Sequence, residues 1–320
     1  MRLVPFEPHM ALDLARCYND LVAPMPYSRP VPEAWFADLT PSQWQRCTEE
    51  EILVAQEGGE IVGFVHVGVS APPNKKWDIP GEPGVIRLLS YRPGQRPVGA
   101  ALLEAAERWL LEHERTEVVA GCGCYMYAFY PVFGHISECI SHLPPLFGMA
   151  GYENHQTEVF FHWPDFTPPE ASLPSLGVEV VGERTRTQAK LIVRQGEQQV
   201  GECRMTWMVD DPWHPQFADW CDCDYLGLDE PFQGKGLGRY LLARGLTEMR
   251  AAGARHARIN TDWNNYRAYL FYTNLGYRFL DRTFGFQKEL AGGDRHGEPL
   301  TTLGAGSAPE PVPGPHGETL

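Results

Sequence analysis

Apolar residues change period along this chain, and the order of the changes is the same in both halves. Residues 53–63, Leu-Val-Ala-Gln-Glu-Gly-Gly-Glu-Ile-Val-Gly, read as a strand, a tight glycine turn and a second strand. Residues 191–201, Leu-Ile-Val-Arg-Gln-Gly-Glu-Gln-Gln-Val-Gly, align on them without gaps at an offset of 138. Leu102, Ala105, Ala106, Trp109 and Leu110 fall at helical spacing and predict an amphipathic helix over 98–113. Its counterpart covers 237–252, where Gly238-Arg-Tyr-Leu-Leu242 matches Gly99-Ala-Ala-Leu-Leu103. Further on, Gly276-Tyr277 matches Gly151-Tyr152.

Each half therefore runs through a hairpin, a further strand, an amphipathic helix, a strand, a short helix and closing strands. Hairpins mixed with crossovers predict an α+β (mixed α/β) class, with a mostly antiparallel sheet flanked by helices in each of two tandem domains. The prolines from Pro164 to Pro174 mark a linker over 164–175 between domains at 1–163 and 176–290. Residues 291–320 are rich in Gly and Pro and poor in large apolar groups, and read as a disordered tail.

A 320-residue chain that is 43% hydrophobic and 21% charged can bury a sizeable core. Its formal charge of −14 disfavours nonspecific binding to nucleic acid or anionic membranes. The opening residues lack an apolar signal core and no stretch reaches the length of a membrane span, which makes a cytoplasmic location the expectation. The 8 cysteines are scattered and read as reduced thiols, with Cys122/Cys124 and Cys221/Cys223 as small buried hydrophobes.

Residues 228–239, Leu-Asp-Glu-Pro-Phe-Gln-Gly-Lys-Gly-Leu-Gly-Arg, run from a strand into a glycine-rich turn that opens a helix. Such a turn presents backbone N–H groups to a pyrophosphate, because glycine admits the required φ and close approach while the helix adds the positive end of its dipole. The spacing Gln233-x-x-Gly236-x-Gly238, followed by Asn265-Tyr-Arg-Ala268-x-x-x-Tyr272-x-x-x-Gly276-Tyr277, resembles the acyl-CoA loop and downstream helix of the GNAT superfamily of N-acetyltransferases. A P-loop fits less well because Gly236 stands where Ser or Thr would follow Lys235, and a dinucleotide fold lacks its acidic residue.

The resemblance implies acetyl-CoA as cosubstrate and a small primary amine as acceptor. It implies that Gln233, Gly234, Lys235, Gly236, Leu237, Gly238 and Arg239 cradle the cofactor, and that the main chain at Leu226 and Leu228 pairs with the pantetheine arm. Asn265 matches a helix-starting position that contacts the cofactor or caps the helix, and Tyr272 the position that protonates the departing thiolate. Its alternative reading is a core aromatic among its aromatic neighbours, and the motif match favours the acid. Strand alternation places Asp222, Asp224, Leu226 and Leu228 on one face, so either aspartate is a candidate base for the amine, directly or through water. As solvated charges, both are also explained without catalysis.

The two halves differ chemically. Gly94, Gln95 and Pro97 stand where the second half has Gln233, Gly234 and Gly236, and Phe147 and Ile140 stand for Tyr272 and Asn265. The first half thus reads as a degenerate scaffold with an insertion around Tyr125–Leu143, an arrangement similar to mycothiol synthase and related two-domain members. Gly99 with Arg92 and Arg96 leaves acyl-CoA binding there open.

From Val209 to Gln233 there are seven carboxylates, Asp210, Asp211, Asp219, Asp222, Asp224, Asp229 and Glu230, and no Lys or Arg. This segment either draws a cationic amine, with Trp207, Trp213 and Trp220 as cation–π walls, or only solvates an acidic protein. His135, Cys139 and His142, with Cys122 and Cys124 upstream, are zinc-type ligands at a spacing that matches no established signature, so no metal is expected. A non-catalytic acyl-CoA-binding or interaction protein, or a transferase with another donor or acceptor, is the alternative function.

Overall fold

The computed structural model describes residues 1–37, 47–71, 82–123, 125–131, 135–211 and 214–290. The tail 291–320, Cys124 and Trp213 lie outside these residues. The described chain divides into two compact units, one of residues 1–160, 261–266 and 280–290, the other of residues 161–260 and 267–279.

The first unit begins with β1 (Arg2–Pro5), α1 (Ala11–Val22) and α2 (Ala34–Ala37). It continues with β2 (Cys47–Glu57), β3 (Glu60–Ser70), β4 (Gly84–Tyr91), α3 (Arg96–Glu112), β5 (Glu117–Ala120), β6 (Ile136–Ser137), α4 (Leu143–Met149) and β7 (Glu153–Trp163). Strands β1 to β4 are antiparallel neighbours in chain order, and β4 pairs parallel with β5 after the α3 crossover. The β2–β3 turn uses Gly58 and Gly59, both at positive φ, which is why the hairpin was legible as a glycine pair. Leu14 and Tyr18 of α1 and Leu102, Ala106 and Leu110 of α3 are fully or almost fully buried, so each helix lays one apolar stripe into the core.

The second unit repeats this order with β8 (Glu179–Arg184), β9 (Gln188–Gln195), β10 (Gln198–Trp207), β11 (Trp220–Leu228), α5 (Leu237–Ala252), β12 (His256–Asp262) and α6 (Tyr266–Leu275). Strands β8 to β11 are antiparallel and β11 pairs parallel with β12. Within each unit the strands are mixed and mostly antiparallel, with flanking helices.

The sequence placed the last strand, β13 (Arg278–Glu289), with the domain 176–290. In the structure Phe286–Glu289 pair antiparallel with β5, from Phe286 against Ala120 to Glu289 against Glu117. Strand β5 is four residues long and leaves one edge open, and β13 covers it while Phe286 stacks on Phe147 at 5.1 Å. The segment read as a linker starts anchored in the second unit: Phe166 is fully buried, its N–H bonds the Arg255 carbonyl, and Asp165 pairs with Arg250 and Arg255.

Among the described residues no helix is long and apolar enough to cross a membrane, and no disulfide joins the described cysteines.

Candidate active site

Past the end of β11 a short 3-10 turn, Glu230–Phe232, delivers the chain to Gly234 and Gly236, at φ +73° and +85°. Only glycine holds these left-handed values without strain, and together they curl the main chain into a tight turn. Gly236 caps α5, and the first helical amide to be paired is that of Tyr240, on the Gly236 carbonyl. The N–H groups of Leu237, Gly238 and Arg239 therefore leave the helix end without intrahelical acceptors. The space ahead is open, since a Cβ at Gly236 would meet nothing closer than Pro174 Cγ at 3.7 Å. Leu237 contributes only its backbone, because its side chain is fully buried, whereas Lys235 and Arg239 are exposed.

Gln233 does more than begin the motif. Its Nε2 donates to the Leu228 carbonyl at 2.7 Å, and its Oε1 accepts from Arg267 Nη1 at 2.9 Å. The Arg267 guanidinium thereby sits beside the turn, with Nη2 3.2 Å from where a Cβ of Gly234 would lie. Arg267 has no role implied by the motif in which it stands, and the signal for it in the sequence is a cation two residues after the helix-starting Asn265.

Strand β11 pairs with β12 only from Trp220 against His256 to Asp222 against Arg258. Beyond that rung β11 runs on to Leu228, held on its other edge by β10 as far as Gly201. Within this unit the strands have parted, and among the described residues no β12 rung occupies the edge of β11 from Cys223 to Leu228. An extended chain with amide groups can pair along such an edge.

One expectation about β11 is corrected by its ladder. Arg204 stands opposite Tyr225 and Met205 opposite Cys223, which leaves Asp224 as the extra residue of a β-bulge. A bulge breaks strict alternation. Leu226 lies across from Cys203, on the face of Cys223 and Met205, whereas Asp222 lies across from Thr206 and Asp224 accepts a short hydrogen bond from Thr206 Oγ1. The aspartates and Leu226 thus face opposite sides.

The aspartates are not equivalent either. Asp222 is buried against Arg258, whose Nη2 donates to Oδ2 at 2.9 Å, so its charge is matched inside the sheet. Asp224 has no such bond. Burial first, and then the Asp222 charge, push its carboxyl up to about 7, while the Thr206 hydroxyl, Arg204 and Arg258 pull the other way.

Tyr272, on α6, is buried and packs its ring against Phe161, Phe271 and Tyr277 at 5.3–6.0 Å. Burial first, then the Cys223 and Cys203 thiols nearby, raise its phenol well above the ordinary range. These thiols, on β10 and β11, share the sheet face of Leu226. Asn265 precedes α6, with its N–H on the Asp262 carbonyl, and falls in the segment 261–266 of the first unit.

The acidic segment is less bare than its sequence. Asp210 pairs with Arg186, Asp211 with His214, Asp219 with His256 and Asp222 with Arg258, leaving Asp224, Asp229 and Glu230 to set the local field. The cations come from other segments, which a count along one stretch cannot see. The expected aromatic walls are likewise spent on packing: Trp220 stacks on His162 at 4.1 Å, and Trp207 donates its Nε1–H to the Ala218 carbonyl. His135, Cys139 and His142 do not share a helix face, since residues 135–142 form β6 and turns, and each takes a separate partner.

In the first unit the corresponding geometry is closed. β4 also parts from β5 after three rungs, Gly84 to Ile86. From Ile86 on to Leu89 the strand faces Met126, Tyr130, Ile140 and Phe147 around a cavity, so residues of the insertion and of the α4 that follows line the gap. His142 Nε2 bonds the Tyr91 carbonyl at 3.0 Å, and the Tyr91 ring lies where any Cβ on Gly99 would go. Gly99 is thus required by packing.

Residues 187–279 match the family described as Acetyltransferase (GNAT) domain. No curated protein matches the sequence. Among solved structures, a tandem GNAT protein from the clavulanic acid biosynthesis pathway superposes with TM-score 0.57 at 14% identity, over 92% of this chain and 99% of that one. A GCN5-related N-acetyltransferase from Sphaerobacter thermophilus gives 0.61 at 15% identity, over 91% and 96%. A glucosamine N-acetyltransferase region of a fungal multi-domain β-N-acetylglucosaminidase gives 0.60 at 14% identity, over 89% of this chain and 38% of that one. At these identities the likeness is one of fold.

Proposed function

We propose, from a chain whose residues 187–279 form a GNAT acetyltransferase domain, that the protein transfers an acetyl group from acetyl-CoA to a small primary amine at a single site in its second unit. The observation that carries this reading is the turn at Gly234 and Gly236 leading to the unpaired edge of β11. A left-handed amide turn, a helix end and an adjacent guanidinium suit a diphosphate, and the free edge suits the amide-bearing arm attached to it. The residues present therefore fit acyl-CoA, which supplies the thioester.

Gly234 to Arg239 hold the diphosphate through backbone N–H groups, with Arg267 beside them. Gln233 must release the Leu228 carbonyl for that group to pair with the pantetheine arm, so the side chain acts as a latch on that edge. On the other face of β11, Asp224 takes the proton from the attacking amine nitrogen. A carboxyl near 7 is divided between its forms at neutral pH and is a better proton acceptor than an ordinary aspartate. Tyr272, kept protonated by its burial, gives its proton to the departing sulfur. Asp222 is assigned to structure through Arg258 and not to proton transfer.

The acceptor is proposed as a small amine, with cationic character favoured only through Asp224, Asp229 and Glu230. The first unit is proposed as a closed relative that carries no acyl-CoA. The test is calorimetry with acetyl-CoA together with thiol release against a panel of primary amines. One binding site per chain and amine-dependent release are expected; binding without release for any amine would leave a cofactor-binding protein and not an enzyme.

A further inference from the structure

Strand β10 is held on both sides, by β9 and by β11, and Thr206 pairs with Gln188 on one and Asp222 on the other. Its backbone is therefore fixed, and a β-branched side chain in a strand has few χ1 choices. From that position Oγ1 donates to Asp224 Oδ2. Asp224 is the bulged residue, so its main chain has no ladder partner to hold it. The hydroxyl is the contact that orients this carboxylate, and it leaves Oδ1 as the free acceptor.

We propose that Thr206 is a positioning residue for acyl transfer, anchoring one oxygen of Asp224 so that the other is presented to the amine. The inference rests on Asp224 being the base. The charged groups that face Asp224 are Asp222 on its own strand, Arg204 on β10 and Arg258 on β12, and none of these changes when Thr206 is altered. A hydroxyl that hydrogen-bonds the ionised form favours that form, so its loss makes the carboxylate harder to ionise.

The experiment compares wild type, Thr206→Val and Thr206→Ser by the pH dependence of kcat/KM and by carbon NMR titration of the Asp224 carboxyl, which needs no turnover. Thr206→Val should move the acidic limb and the NMR midpoint upward by about one pH unit, a tenfold change in the protonation equilibrium. It should lower kcat/KM at pH 7 several-fold with acetyl-CoA affinity unchanged. Thr206→Ser should return both midpoints to near wild type, which a purely steric role for the threonine methyl would not produce. If Thr206→Val does not fold, Thr206→Ala takes its place in the same titration. An Asp224 midpoint unmoved by loss of the hydroxyl overturns the positioning role. Full activity in Asp224→Asn would instead remove the base assignment beneath it, so the two failures are distinct.

Discussion

Arg87 of β4 and Asp224 of β11 occupy the same place in two copies of one strand: each is the extra residue of a bulge, between His66 and Val67 opposite in the first sheet and between Arg204 and Met205 in the second. The bulge survives in both copies while the residue at its crest changes sign. Arg87 is buried, bonded through Nη1 to both oxygens of Glu50 and through Nε to the Tyr125 carbonyl. A cation bound to a carboxylate and to the insertion cannot accept a proton. The first unit keeps the scaffold and carries at this position a tie that holds the insertion in place.

Removing the charge of Asp224 should separate activity from stability. Asp224→Asn is expected to lower kcat/KM by about 10²-fold or more, the usual contribution of a positioned base. Wild-type activity should rise with pH through about 7 as the carboxylate forms. Its folded pKa lies above the unfolded value, so between the two the native state binds more protons and stability falls as pH rises. Asparagine has no such charge to desolvate. Asp224→Asn should therefore melt no lower than wild type at pH 8, and the difference should vanish toward pH 4. A thermal scan at both pH values checks this.

Tyr272→Phe keeps a ring against Phe161 and Tyr277 and removes only the hydroxyl. An expected loss of about 10²-fold in kcat with an unchanged urea midpoint would assign the phenol to proton donation. Equal turnover at saturating amine would return Tyr272 to the core.

Asp222 and Arg258 form a buried pair at the last rung before β11 and β12 part. Arg258→Met leaves the carboxylate buried without its cation and should cost about 3–5 kcal/mol in urea denaturation. Adding Asp222→Asn to it should recover part of that loss. An additive double variant would show that the pair does not couple.

Much of the fold could be read from the chain because its signals are local. The helix expected over 98–113 spans Arg96–Glu112, that over 237–252 is Leu237–Ala252, and the glycine turn lies where its spacing put it. What could not be read depends on two segments at once. A bulge exists only in the register between two strands, so nothing in Cys-Asp-Cys-Asp-Tyr announces that Leu226 faces away from Asp224. The pairing of Asp222 with Arg258 and of Asp210 with Arg186 joins residues far apart in sequence. The closing of the first gap depends on where the insertion folds, which composition does not encode.

The closed first gap and the open second one predict one acetyl-CoA per chain and opposite outcomes at two glycines near the starts of α5 and α3. Gly236→Val places a β-branched side chain at φ +85°, in the path of the diphosphate, and should weaken acetyl-CoA binding by at least about tenfold, or 1.4 kcal/mol. Gly99→Ala drives a methyl group into the Tyr91 ring and should destabilise the fold by about 1–3 kcal/mol. Affinity for acetyl-CoA should hold in that variant at temperatures where it stays folded. Calorimetry and urea denaturation on both proteins decide the matter: a stoichiometry of two in wild type, or loss of half the sites in Gly99→Ala, would mean that the first unit opens to ligand despite the bond from His142 to the Tyr91 carbonyl.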